Sequence, residues 1–396
     1  MAFQRINQFT GCNNIAKPER LPEGAVADAV NLDFTVGGKA ELRAGYSLVR
    51  KCQAGKELRA VFAMPDDSLL IVENNDLIKL RNGQEQKIGE VSTGPIAATV
   101  HNDKLYLNTQ AESLEIGVAE VSPWGMAPPD FDLAVIGYGD MPIGTYKISV
   151  TGISGGSEAG AHIKTVEINT SGKSIAVHLN SNGQSRVYCS AANGTQLYHQ
   201  GSASSSAPFV ITGEPANDTA VLETAHLTKM PFCEILESHK GQILGASGNT
   251  LYFTRPMLPH LHDPLSGFVL FNKKITLIAP VGDGVYVCAD KTYYISAIGS
   301  NEMTMRKVLD FGAVAGTQVK LPSGSVSWFS EYGQIIAGNG GEVAMVNKDT
   351  YSPEIMDSGA AVLLSGNGNQ IIATTMSGAQ RSSLLKSKDF WDVEVI

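Results

Sequence analysis

The chain is poor in charge, in aromatics and in cysteine, and it has no long apolar run. Asp, Glu, Lys and Arg make up 17% of its 396 residues, against about 25% in an average globular domain. The formal net charge is −9, which gives the chain as a whole no attraction for nucleic acid or an anionic membrane. The five cysteines (Cys12, Cys52, Cys189, Cys233, Cys288) are odd in number, scattered and free of any C-x-x-C spacing. That argues against a disulfide framework or a structural zinc site. No apolar run approaches the ~18 residues that span a bilayer. The start, MAFQRINQFTGCNN, lacks the apolar core of a secretory signal. These absences lead us to expect synthesis in the cytoplasm and no membrane insertion. A hydrophobic content of 43% excludes a disordered chain, and the length exceeds the ~250–300 residues at which single cores stop growing.

Helical periodicity is nearly absent as well. In its place are short runs rich in β-branched and aromatic residues, bounded by Gly, Asn, Asp or Pro; 41 glycines supply the turns. Six stretches share one grammar of strand, tight polar turn and strand: AVFAMPDDSLLIVENNDLIKL, PIAATVHNDKLYLNT, FCEILESHKGQILGASGNTLYFT, ITLIAPVGDGVYVCADKTYYIS, SVSWFSEYGQIIAGNGGEVAMVN and AAVLLSGNGNQIIATTMSG. Such antiparallel meanders, recurring about every 35–50 residues, suit the blades of a β-propeller, since one meander cannot bury both of its faces alone. A large irregular β-sandwich is the alternative. Between the second and third stretches lies a Pro-rich connector, SPWGMAPPDFDLAV, and then cleanly alternating strands from GTYKISVTGISGGSEAG to APFVITG. These predict an inserted β-sandwich of the immunoglobulin or fibronectin class. The expected organisation is an N-terminal arm and first hairpin (1–45), the first part of the propeller (46–140), the sandwich (141–225) and the rest of the propeller (226–396).

Chemistry is hard to find. Gly152-Ile153-Ser154-Gly155-Gly156 matches G-x-S-x-G, but a nucleophile elbow needs a helix after the turn, and here a hairpin tip is expected. His260-Leu261-His262-Asp263 is the densest group of candidate ligands. Its prolines and its isolation predict a surface loop. No phosphate loop or dinucleotide fingerprint is present. The carboxylates Asp66, Asp67, Asp283 and Glu331 fall at turns, where Asp satisfies backbone amides. A glycosidase would need two carboxyls facing each other across a groove. No catalytic residue, cofactor site or metal site is assigned, and the chain is expected not to be an enzyme.

The opening GCNNIAKPERLPEGAVADAVNLDFTVGGKAELRAGY, then GTYKISVTGISGGSEAG, then the blocks TAHLTKMPFCEILESHKGQILGASGNTLYFTRP, DGVYVCADKTYYIS and VSWFSEYGQIIAGNGGEVAMVN resemble, in wording and order, the tail nozzle or packaged-DNA stabilisation proteins of short-tailed bacteriophages. The resemblance implies a propeller-like protomer in a homo-oligomeric ring, a hexamer, below the portal and adaptor proteins and beside tail fibres or spikes. Such a ring continues the channel for double-stranded DNA in transit, retains the packaged genome and releases it on infection; the place in the virion is the tail. A negative total charge suits such a conduit, since counterion-mediated grip slows passage. On this reading Met257, Leu258, His260, His262, Asn301 and Met303 are candidates for exposed channel or gate loops, at tips 257–264 and 300–303. Leu21, Pro22, Val30, Leu32 and Phe34 belong to an assembly arm that seats on the propeller or on a neighbour, with Gly37 or Gly38 at positive φ. The alternative function is a receptor- or glycan-binding propeller of a fibre or spike, which would show paired carboxylates and an aromatic-lined groove.

Overall fold

The computed structural model describes residues 8–35, 37–43, 45, 47–118, 120–180, 182–352, 354–366 and 369–380. Among them the chain is all-β, with two 3-10 turns, Pro18–Arg20 and Asn339–Gly341, as its helical elements. It divides into two compact units, Gly55–Leu270 and Met1–Ala54 with Phe271–Ile396.

The first unit holds three propeller-type blades, each an antiparallel meander. The first is Leu58–Ala63, Leu69–Glu73, Asp76–Arg81 and Gln84–Glu90; the second is Ala97–His101, Lys104–Asn108, Ser113–Ile116 and Val121–Pro123. The third is Ile235–His239, Gln242–Ser247, Thr250–Arg255 and Leu258–His262, with Phe268–Leu270 also on its third strand. The turns follow from their residues. Two-residue hairpin turns need two successive positive φ angles to match strand twist. Asn102 and Asp103 supply φ 46° and 59°, Lys240 and Gly241 44° and 76°, Asn82 and Gly83 50° and 76°.

Strand alternation decides how the blades stack. In the second blade Leu105 and Leu107 point one way, into a core with Leu70, Val72 and Leu77 of the first. Tyr106, between them in sequence, points the other way, into a core with Trp124, Met230, Leu236 and Ile243 of the third. Each face of the second blade is therefore a half-core that a neighbour completes.

Between the second and third blades the chain builds a two-sheet sandwich. One sheet pairs Phe131–Gly137 with Lys173–Leu179 and that strand with Phe209–Ile211. The other runs His162–Ile168, Gly144–Ser154, Gln184–Cys189, Tyr198–Ala203. In chain order the second sheet reads 3-2-5-6 and the first reads 1-4-7; the 3-2-5-6 sheet facing strands 1 and 4 resembles the order of immunoglobulin-class domains from their second strand onward. Tyr146, Ile148 and Val150 meet Phe131, Ile175 and Val177 in its core. Cys189, on a central strand, is a free thiol in that core, and burial pushes its pKa up to about 12. The first sandwich strand lies ahead of the expected boundary at 141, inside the segment read as connector. Ala225 returns to the sandwich by an isolated parallel bridge to Ala161.

The second unit carries a fourth blade (Leu277–Pro280, Gly284–Cys288, Thr292–Ser296, Thr304–Leu309) and a fifth (Val319–Lys320, Val326–Ser330, Gly333–Ala337, Val343–Met345). They share a core in which Tyr286 lies 5.6 Å, centroid to centroid, from fully buried Trp328. The Tyr286 hydroxyl donates toward the carbonyls of Gly338 and Glu342 at 2.6 and 2.9 Å, tying the two blades. The sixth stretch departs from the expected meander. Met356–Gly366 and Asn369–Gln380 form a two-stranded sheet with no third strand among the described residues.

Two measurements test this packing. Leu107→Ala should destabilise by about 2–5 kcal/mol, the usual cost of a buried Leu truncation, read from urea unfolding. The Asp66 carboxyl, 2.7 Å from Lys79 Nζ, is held at about 2 by hydrogen bonds from Lys79 and Ser68. An unfolded Asp titrates near ~3.9, so this contribution is present above that pH and is lost as pH falls toward 2. Asp66→Asn should flatten that acid limb in urea midpoints recorded against pH.

Candidate functional site

The candidate loop 257–264 is a buried strand for most of its length, which corrects the expected exposed tip. Met257 is exposed at 74%, with φ 63° and its amide bonded to the Gly241 carbonyl at 3.0 Å. Leu258 is half-buried, and His260, Leu261 and His262 are buried. Alternation sends both histidines to one face and Leu261 to the other. The strand lies at a sheet edge, where proline is tolerated; the Pro259 carbonyl accepts from Trp124 Nε1 at 2.8 Å.

The histidines are structural ties. His260 Nε2 lies 3.0 Å from the Glu158 carbonyl, linking blade to sandwich. His262 exchanges both backbone hydrogen bonds with Thr228, its Nδ1 is 3.2 Å from the Thr228 carbonyl, and its ring stands edge-on to Tyr252. Burial pushes its pKa down. Asp263 turns away to accept from the Leu265 amide and the Ser266 hydroxyl at 2.9 and 2.7 Å. Among the described residues no group of three His, Cys, Asp or Glu is placed to hold a metal.

Glu158 is the sandwich side of this seam. Its carboxylate accepts from Thr151 Oγ1 at 2.5 Å, the Tyr188 hydroxyl at 2.6 Å and Arg186 at 3.1 Å. Burial, and then Glu158, raises the Tyr188 hydroxyl to about 12. Gly160 beside it meets the Leu227 carbonyl so closely that a Cβ there would collide with it. No local pattern signals this seam, because its members are about a hundred residues apart (102 between Glu158 and His260).

The other candidates fall elsewhere. Asn301 and Met303 lie in an exposed turn after Thr292–Ser296, where Ala297 and Gly299 have φ 49° and 75° and Ser300 closes the turn onto the Ala297 carbonyl. They belong to the second compact unit, Met257 to the first. Ser154 ends a strand at a hairpin whose Gly155 and Gly156 have φ 56° and 83°, and a strand follows.

In the arm, Leu32 and Phe34 pair with Leu42 and Ala40, and Gly38 has φ 76°, as expected for Gly37 or Gly38. Phe34 lies 6.0 Å from Phe9. Asn14 seats the arm by a reciprocal pair with Ser352: its Nδ2 donates to the Ser352 carbonyl at 3.0 Å, and its Oδ1 accepts the Ser352 amide at 2.8 Å. Leu21 is half-buried, while Pro22 and Val30 are exposed.

A cleft of about 700 Å³ opens beside the first blade, lined by Lys56, Arg59, Asn74, Asp76 and Glu90 among others. In it Asp76 meets Lys56 and Lys87 at 2.6 Å each, and Arg59 donates to the carbonyls of Asn74, Ser92 and Gly94. No aromatic side chain lines it.

The chain matches no protein-family model and no curated protein. Among solved structures it is similar to BBS1N in complex with ARL6DN (10% identity, 78% of this chain and 86% of that one, TM-score 0.31). It is also similar to apo AztD from Citrobacter koseri (11%, 74% and 87%, TM-score 0.27). A third is the extracellular domain of the putative one component system BT4673 from B. thetaiotaomicron (9%, 81% and 52%, TM-score 0.24). The blade assignment rests on the strand order and parity described above.

Replacing His260 by Phe should leave the Glu158 carbonyl without its partner. The expected cost is about 1–3 kcal/mol, the penalty for an unpaired buried acceptor, read as a lower urea midpoint.

Proposed function

We propose that this chain is a structural subunit of a short-tailed phage tail: a nozzle protein that assembles as a ring, continues the DNA channel below portal and adaptor, retains packaged DNA and lets it leave. The observation that carries the reading is the arm's surface. Val30, Leu42, Leu48 and Val49 are 81%, 78%, 80% and 79% exposed, within a segment tethered through Asn14. Large apolar side chains left in water along one short segment suit a contact with another protein. The ordered likeness of the sequence blocks to nozzle proteins supports the same reading. So does the cleft beside the first blade, whose lining is polar and carries no aromatic side chain.

The test is reconstitution. Purified protein added to DNA-filled capsids bearing portal and adaptor should dock and stop DNA leakage, and Leu42→Asp with Val49→Asp should abolish docking while leaving thermal unfolding unchanged. Failure of the parent protein to dock, together with measurable glycan binding or hydrolysis by a monomer, would replace the nozzle with the fibre or spike reading.

A further inference from the structure

The ribbon formed by Met356–Gly366 and Asn369–Gln380 differs from the first and fourth blades in what its edges and faces carry. It contains no Asp, Glu, Lys or Arg from Ser358 to Gln380, and no side chain described in it is buried. Both faces are apolar. Opposed pairs share a face, so Val362 and Ala373 lie with Leu364 and Ile371 on one side, while Leu363 and Ile372 lie with Ala361 on the other. The ribbon is anchored at its base, where Ser358 bridges Ala315 and the Gly359 amide donates to the Ala315 carbonyl at 2.8 Å.

A lone two-stranded ribbon is at best marginal in water. Beyond that base its outer edges present unpaired amides and carbonyls among the described residues, and natural edges are protected by charge or proline. The outer strand of the first blade follows that practice with Glu85, Lys87 and Glu90, and the outer strand of the fourth with Arg306 and Lys307. The ribbon has neither device between Ser358 and Gln380.

We propose that the occupant of these edges is the same ribbon from a second copy of this chain. The outer edge of Met356–Gly366 pairs with the outer edge of Asn369–Gln380 on the neighbour. Backbone complementarity makes the two edges partners, and the lack of charge removes any repulsion between copies. The pairing is head-to-tail and antiparallel throughout, so it closes into a ring if the rotation allows. At ~3.4 Å per residue and ~10 Å of sheet thickness, a free edge of roughly 30 Å hides about 300 Å². A copy joined at both edges therefore hides about 600 Å², approaching the ~800 Å² per partner of a standard interface. A copy joined at one edge hides half of that, which favours closure over an open pair. The inference rests on the nozzle reading only for the number of copies.

The experiment is sedimentation velocity on the full chain from about 1 to 100 µM, with hydrogen exchange of the amides of 360–375. The full chain should assemble with concentration, and those amides should lose protection on dilution. Val362→Lys with Ile371→Lys should raise the half-assembly concentration at least tenfold without moving the thermal midpoint. A parent chain that stays monomeric at 100 µM, or a double-lysine variant that assembles like it, overturns the proposal. Monomers that instead bind phosphatidylcholine vesicles through the ribbon would assign it to a bilayer. Protection that survives dilution but vanishes on deleting 381–396 would assign it to the chain's own tail. Rings that lose assembly with the lysines yet never dock a portal would remove the nozzle reading and leave this one standing.

Discussion

The architecture depends on one constraint, that a β-strand sends alternate side chains to opposite faces and both faces of an interior sheet must be dry. Lys104–Asn108 satisfies it with Leu105 and Leu107 toward the first blade and Tyr106 toward the third. A single-residue register slip there would turn two leucines into one core and a tyrosine into the other, and neither cavity would fit. The blades are thus specified in sets, and the fold has no place for a solitary one. The same condition acts between the fourth and fifth blades, where Tyr286 and Trp328 fill one shared core.

Polar contacts tie the sandwich to the third blade. Glu158 uses its carboxylate to hold its own domain together through Thr151, Tyr188 and Arg186, and its carbonyl to reach His260. A partly buried network of this kind, with Tyr188 and Thr151 buried and Arg186 at the surface, is expensive to break on its buried side. It fixes the orientation of an inserted domain with few atoms, at a point where the blade must also accommodate a proline-bearing edge strand.

What could be read from the sequence followed the range of the interaction. Hairpin turns are local, so Asn102-Asp103 and Lys240-Gly241 announce themselves. Strand identity fails where a local signal misleads. Pro128 and Pro129 hid the alternation of Phe131 and Leu133, which the sandwich core reveals. Pro259 and Pro264 made 257–264 look like a loop, because edge pairing and the bond between Trp124 and the Pro259 carbonyl join residues far apart in the chain. The arm's tether is longer still, 338 residues from Asn14 to Ser352, and no spacing or composition encodes it.

The run AAVLLSGNGNQIIATT has the composition of a blade, and composition is where its meaning lies. A strand pair with core-like residues on both faces, which no neighbouring sheet covers among the described residues, has the sequence of an interior element and the environment of a surface one. Folding of one copy cannot reconcile these two, since burying either face requires strands that the ribbon's own sheet does not contain. The first and fourth blades carry charge on their outer strands, at Lys87 and Glu90 and again at Arg306 and Lys307. The ribbon, within the same sequence, carries none between Ser358 and Gln380. A contrast of that kind is consistent with an edge whose partner arrives after folding, and the exposed apolar arm at the other end of the chain carries the same signature.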